Sequence, residues 1–183
     1  MNENYAQPNL PPEVHAQVIA GCYQFGLYKP NENAGYSTKK QQFVTLMGSG
    51  AILTEVIKAA QALAARGVEV QVISVTSWSE LTREAQAVTA SPSGEASLGH
   101  SQPVTPFVTA QLARTDGPII AATDYVRAVP ESIRAYLPPG RTYQTLGTDG
   151  FGRSDTRSAL RRHFSVDAAS IEQAAWRLLQ EKA

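Results

Sequence analysis

The sequence predicts an α/β domain: a mostly parallel sheet with helices on both faces. Three observations carry that prediction. Short runs of apolar and β-branched residues alternate along the chain with segments of helical spacing, the pattern of repeated strand–helix–strand units. The runs are strand-sized: 43–47 is a compact apolar run, and 68–75 reads as a strand buried in a sheet interior. The chain has 183 residues, 43% of them hydrophobic, which suits one domain with a full core.

Element by element, residues 1–12 hold Pro8, Pro11 and Pro12 among polar residues and read as an extended lead-in. A single α/β domain is expected over 13–183. Residues 13–23 have the spacing of a short helix with Val14, Val18 and Ile19 inward, and 25–29 that of a short strand. Residues 31–40 are polar and turn-rich, an exposed loop. The apolar run 43–47 ends at Gly48-Ser49-Gly50. Behind it Ile52, Leu53, Val56, Ala59, Ala60, Leu63 and Ala64 recur at helical spacing, and Gly67 is placed to stop that helix. Residues 68–75 are rich in β-branched side chains and predict a buried strand. Ser77 followed by Glu80 is a capping-box pattern for a helix over 78–88. Residues 89–102 have loop composition. Thr105-Pro106 opens a helix carrying Phe107, Val108 and Leu112. Residues 118–122 form another strand candidate. Pro130 opens a helix that ends near Leu137, where Pro138-Pro139-Gly140 stops it. Residues 142–146 are the next strand. A glycine-rich turn follows, then a helix opening on Ser154 or Asp155 and running to about Phe164. Asp167 caps a last helix with Ile171, Ala174, Ala175, Leu178 and Leu179 on one face.

Composition narrows the function. The formal net charge is zero at pH 7, which gives no support for a nucleic-acid or anionic-membrane partner. No apolar run is long enough to span a bilayer, and the N-terminus lacks the basic and apolar regions of a signal peptide. Cys22 is the only cysteine, so an internal disulfide is excluded and the cytoplasm is favoured.

The motifs argue mainly by what they lack. Gly48-Ser49-Gly50 would need a third glycine where Leu53 stands to bind a dinucleotide, and the next strand ends in Val75-Thr76-Ser77 without a carboxylate for a ribose. The reading is a tight strand-to-helix turn. No Gly-Lys-Ser/Thr follows a glycine loop, so a P-loop is absent. His15, His100 and His163 lie far apart and in no zinc spacing; His163 suits a helix C-terminus, where the dipole favours a cation. Cys22 reads as a small, partly buried hydrophobe. Ser49 is not in a nucleophile elbow. Arg153, Arg157, Arg161 and Arg162 form a basic group, with Arg157 and Arg161 on one face. They are a solvated face salt-bridged to Asp149 and Asp155, a contact surface for other domains or a dimer partner, or a seat for an anion. Exposed turn donors at the helix opening suit an anion as well.

Four strings are distinctive as such. They are Leu-Gly-Thr-Asp-Gly-Phe-Gly-Arg-Ser-Asp-Thr-Arg-Ser-Ala-Leu-Arg-Arg-His-Phe at 146–164, Met-Asn-Glu-Asn-Tyr at 1–5, Ser-Val-Thr-Ser-Trp-Ser-Glu-Leu-Thr-Arg at 74–83 and Thr-Asp-Tyr at 123–125. Through them nearly the whole chain resembles the C-terminal domain of the homodimeric, thiamine-diphosphate-dependent dehydrogenase component of bacterial pyruvate dehydrogenase complexes. The shorter Phe-Gly-x-Ser is similar to transketolase C-terminal domains. The resemblance implies a three-layer α/β/α fold with about five strands, one edge strand antiparallel. It implies that Met1 lies inside a longer polypeptide. It implies a parent that decarboxylates pyruvate with thiamine diphosphate and magnesium and passes the acetyl group to a lipoyl arm on an acyltransferase core. Cofactor and substrate would then sit between the parent's other two domains in a homodimer. Thr148-Asp149-Gly150 is similar to the start of the family's magnesium motif, but the asparagine that follows about thirty residues later is missing, since no asparagine occurs after Asn33. No catalytic, cofactor-binding or metal-binding residue is therefore assigned to this chain, which is expected to be inactive alone and to support dimer geometry. Residues 89–102 depart from the family pattern, and the chain ends sooner after its last helix than some relatives do.

The candidate interface or regulatory-anion residues are Gly48, Ser49, Gly50, Thr123, Asp124, Asp149, Arg153, Ser154, Asp155 and Arg157. Trp78, Trp176, Phe151 and Tyr125 are candidates for an exposed apolar face. The competing reading is a free-standing module that holds a small anion or nucleotide at the C-terminal ends of the strands.

Overall fold

Apolar residues on both faces of consecutive strands oblige the sheet to be covered twice, and it is. The computed structural model describes residues 10–30, 42–90 and 105–181. The strands are β1 (Cys22–Tyr28), β2 (Gln42–Ser49), β3 (Val68–Val75), β4 (Ile119–Ala122) and β5 (Tyr143–Leu146), in the order β1-β3-β2-β4-β5. β2 is parallel to β3 and β4, and β4 to β5. β1 is antiparallel to β3, with a register shift between Gln24 and Gly26.

The helices are α1 (His15–Ile19), α2 (Leu53–Ala64), α3 (Trp78–Ala90), α4 (Phe107–Leu112), α5 (Ala128–Glu131), α6 (Arg157–His163) and α7 (Ala168–Glu181). Strand residues alternate between two cores, as the pleat requires. Val44, Leu46, Val70, Val72, Ile120 and Ala122 pack with Val56, Leu63, Ile171 and Leu178 of α2 and α7. Met47, Ile73, Ile119 and Ala121 pack with Trp78 and Leu81 of α3, Val108 and Leu112 of α4, and Ile133. Among the described residues no helix is long and apolar enough to cross a membrane.

Local chemistry sets most boundaries as expected. Gly67 takes φ +91° just past α2, and its N–H bonds the Ala64 carbonyl at 3.1 Å. Ser77 Oγ accepts from the Glu80 amide at 3.1 Å, while Glu80 itself turns to Arg83 and leaves the capping box half made. Asp167 Oδ1 accepts from the Ser170 amide at 3.1 Å.

Four expectations need correction. The helix expected over 13–23 is a 3-10 turn (Pro12–Val14) and the five-residue α1, with Ile19 79% exposed rather than inward. Gly21, at φ +110°, ends it early. A side chain there would meet the Ser77 carbonyl at 2.8 Å, and the Gly21 carbonyl accepts from the amides of Thr76 and Ser77, so β1 starts at Cys22. Pro130 does not open its helix; α5 begins at Ala128 and Pro130 is its third residue, where a missing N–H costs no intrahelical bond. Neither Ser154 nor Asp155 caps α6: Thr156 does, its Oγ1 accepting from the Ala159 amide at 3.3 Å. Thr89 lies in α3 rather than in a loop. The expectations for 1–9, 31–40 and 91–102 lie outside the described residues.

At the N-terminal end of the parallel strands, half-buried Arg141 ties the sheet to α4. Its guanidinium donates to the carbonyls of Gly117 at 2.5 Å, Leu112 at 2.8 Å and Thr115, and more weakly to Thr45 Oγ1 at 3.4 Å.

Candidate functional site

The connection from β2 to β3 runs to one side of the sheet, and β4 and β5 lie on the other. The C-terminal ends of β2 and β4 therefore face a crevice, the position where open α/β sheets bind ligands. All ten candidate residues from the sequence lie at this end: Gly48 and Ser49 close β2, Arg157 opens α6, and the others lie on the β2–α2, β4–α5 and β5–α6 connections.

β2 ends in Gly48 and Ser49. A Cβ at Gly48 would lie 2.9 Å from Val56 Cγ2 and 3.1 Å from Leu53 Cα, so glycine lets α2 pack against its own strand. Gly50 adopts φ +54° to turn the chain, and a side chain there would find only the Asp124 carboxylate within 4 Å. Its requirement is conformational rather than steric. The Ser49 and Thr123 hydroxyls pair at 2.8 Å across the crevice, and Thr123 Oγ1 accepts from the Tyr125 amide at 3.2 Å.

The β4–α5 and β5–α6 connections are bound to each other. The Thr148 amide donates to the Tyr125 carbonyl at 2.9 Å, and its hydroxyl to the Asp124 carbonyl at 2.7 Å. Gly147 permits this approach, since its Cβ would lie 2.6 Å from the Tyr125 oxygen. The Asp149 carboxylate accepts from the Arg127 amide at 2.8 Å and from Arg127 Nε at 2.5 Å. Those two bonds, the backbone one foremost, hold its carboxyl below the usual carboxylate range. Gly150 turns the chain at φ +95°. Asp155 is spent locally, its Oδ1 accepting from the Thr156 amide at 2.6 Å.

Beside these loops is a cleft of about 370 Å³. Ala51, Ile52, Leu160, Phe164 and Val166 form its apolar side, and Asp124, Thr148, Arg153, Arg157 and Arg161 its polar side. Arg161 is anchored: its Nη1 donates to Glu55 Oε1 at 3.2 Å. Glu55 also accepts from Lys58 at 2.8 Å and, through Oε2, from the Ala168 amide at 3.1 Å, joining α2, α6 and the start of α7.

The salt bridge expected between the arginines of α6 and Asp149 is thus replaced by Arg127–Asp149. Of the four aromatics expected on an apolar face, Phe151 is 97% and Tyr125 58% exposed. Trp78 is buried at 4% and Trp176 is part-buried against the α2–α7 core. Val126, 48% exposed, joins the first two. Sequence reasoning missed Arg127 and Glu55, and the bonds that Thr148 makes, because the partners in these bonds lie 22 to 113 residues away. Arg127 stands three residues after the noted Asp124, the one local hint.

Asp149 bears on the magnesium motif that its neighbours resemble. Both of its oxygens are engaged by Arg127, and among the described residues no group of three His, Cys, Asp or Glu converges to hold a metal. These residues do not fit a divalent-cation site.

Residues 26–167 match the family described as the Transketolase-like TK C-terminal domain. The pyruvate dehydrogenase E1 component of Cupriavidus necator is 42% identical over 185 aligned residues, covering 100% of this chain and 19% of that protein. That of Mycolicibacterium smegmatis is 42% identical over 93% of this chain and 17% of that protein, and that of Escherichia coli K12 is 38% identical over 96% and 18%. The chain thus spans about a fifth of the length of these curated relatives. Among solved structures, transketolase from Leishmania mexicana superposes with a TM-score of 0.56 at 18% identity, over 91% of this chain and 19% of that one. Transketolase from Campylobacter jejuni gives 0.52 at 14% identity, over 86% and 18%; at such identities the likeness is one of fold. The family match runs from inside β1 to the cap of α7, and two of the four strings that suggested it, 123–125 and 146–164, include the loops just described: the chain belongs to the transketolase-like TK C-terminal domain family and is homologous to the C-terminal part of the pyruvate dehydrogenase E1 component.

Proposed function

We propose that this chain is the non-catalytic, architecture-supporting domain of a pyruvate dehydrogenase E1 polypeptide. In that reading the parent is a homodimer in the bacterial cytoplasm. It decarboxylates pyruvate and reductively acetylates a lipoyl group on an acyltransferase core, with thiamine diphosphate and magnesium held by its other domains. The observation that carries the reading is end-to-end identity of about 40% to E1 components, of which this chain is about a fifth. The Arg127–Asp149 pair supports a structural rather than metal-binding use of the Thr148-Asp149-Gly150 turn. Within the parent, this domain's residues would act by holding a fixed surface against the active-site domains. Titration calorimetry of the isolated chain with thiamine diphosphate and magnesium is expected to show no binding, and no pyruvate turnover should be detectable. Micromolar affinity would sink the reading.

A second reading has one observation in its favour: the cleft at the switch point carries Arg153, Arg157 and Arg161 near the turn. A free-standing module would seat a small anion or nucleotide there, although the Asp124 carboxylate on the same wall opposes a negative charge. A thermal-shift series with phosphate and nucleotides separates the two, because only the second reading expects the melting temperature to rise with ligand.

A further inference from the structure

The β4–α5 and β5–α6 loops expose Phe151, Tyr125 and Val126, yet the two loops are cross-bonded to each other. Thr148 is bonded twice to the neighbouring loop, Asp149 twice to Arg127, and Gly147 sits where no side chain fits. Exposed apolar side chains on a loop fixed in advance lose little conformational freedom on association. Beside them the cleft has an apolar wall and a rim on which arginine outnumbers carboxylate. Projecting apolar anchors next to an arginine-rimmed pocket make up the anatomy of an interface centre.

Resting on the pyruvate dehydrogenase E1 reading, we propose that these two loops are the face by which this domain seats on the remainder of the E1 polypeptide. The seated surface offers an apolar side chain to the cleft and a carboxylate to Arg153. Two arguments choose that occupant. About four-fifths of each curated relative lies outside this chain, so a large part of the parent needs a place to meet it. A second copy of this chain is the poorer partner: across a two-fold interface the patch meets itself, and a rim on which arginine outnumbers carboxylate brings no surplus carboxylate to pair with.

The test replaces the matching segment of the Cupriavidus necator E1 component with this chain. Hydrogen exchange over residues 150–154 is then compared between the chimaera and the isolated chain. At least ten-fold slower exchange in the chimaera is expected, with a return to the isolated-chain rate when Phe151→Asp and Arg153→Glu are introduced together. That pair should leave the melting temperature of the isolated chain unchanged. Equal exchange in an active chimaera overturns the docking face and leaves the E1 reading standing. A folded chimaera without pyruvate turnover tells against the E1 reading itself. Concentration-dependent protection of 150–154 in the isolated chain assigns the face to a second copy and overturns the proposal. If the chimaera is not recovered folded, the matching positions of the intact Cupriavidus necator enzyme decide: rapid exchange there overturns it.

Discussion

A methyl group added at Gly117 would lie 1.9 Å from the Phe43 carbonyl oxygen, and the residue sits at φ +92°. Neither the neighbouring strand nor the backbone angle can yield cheaply, so Gly117→Ala is expected to cost about 3 kcal/mol or more in chemical unfolding. Cys22 shows the opposite case, a residue whose state is set by its surroundings. Burial pushes its thiol up to about 12, with Arg114 pulling weakly the other way. An unfolded chain ionises this thiol from about pH 9 while the folded one does not. The stability it contributes is full below that pH and falls as pH rises toward 12. Tyr143, likewise raised by burial and donating to the Pro130 carbonyl at 2.7 Å, adds to the fall at still higher pH. Urea midpoints between pH 8 and 11 should therefore decline, and a Cys22→Ala variant should decline less steeply. Gly67, Ser77 and Asp167 were legible in the sequence because each acts on an amide or carbonyl within three residues. Gly117, Arg127 and Arg141 were not, because what they touch is brought to them only by the sheet.

The same boundary between near and far runs through the elements. α2, β3 and α7 follow from apolar period alone. α1 and the start of β1 do not, because Gly21 answers to Ser77 and Leu81 of another element. α6 was placed correctly but capped wrongly: Ser154, Asp155 and Thr156 are all cap formers, and the turn decides which one lies three residues before a free amide. Thr156 has the extended backbone, φ −64° and ψ 151°, that a cap needs. Thr156→Ala should lower stability by about 1 kcal/mol, and Ser154→Ala by less than about 0.5 kcal/mol, read from thermal melts. Glu55, at 9% side-chain exposure, serves Lys58, Arg161 and the Ala168 amide together. Glu55→Ala leaves Arg161 without this carboxylate and α7 without a bond at its first turn. A loss of about 2 kcal/mol is expected, accompanied by faster amide exchange in α6 than in α3.

For the molecule as a whole, the mostly parallel sheet with helices on both faces was legible in the sequence and the antiparallel edge strand in the family resemblance, whereas the strand order, and the crevice that follows from it, come from the fold. The candidate residues of the three connections were found as separate strings, and only the fold makes them neighbours. What the strings did not reveal was that the loops bond each other. The two cores also differ in when they can close. The core between α3, α4 and the sheet uses residues up to Tyr143. The other needs Ile171, Ala174, Ala175, Leu178 and Leu179 of α7. As the segments emerge in order during synthesis, the parts of α2, β2 and β4 that α7 covers stay uncovered until α7 has emerged. That side of the sheet therefore closes later than the side covered by α3 and α4, because residues 168–181 must be made before it is complete.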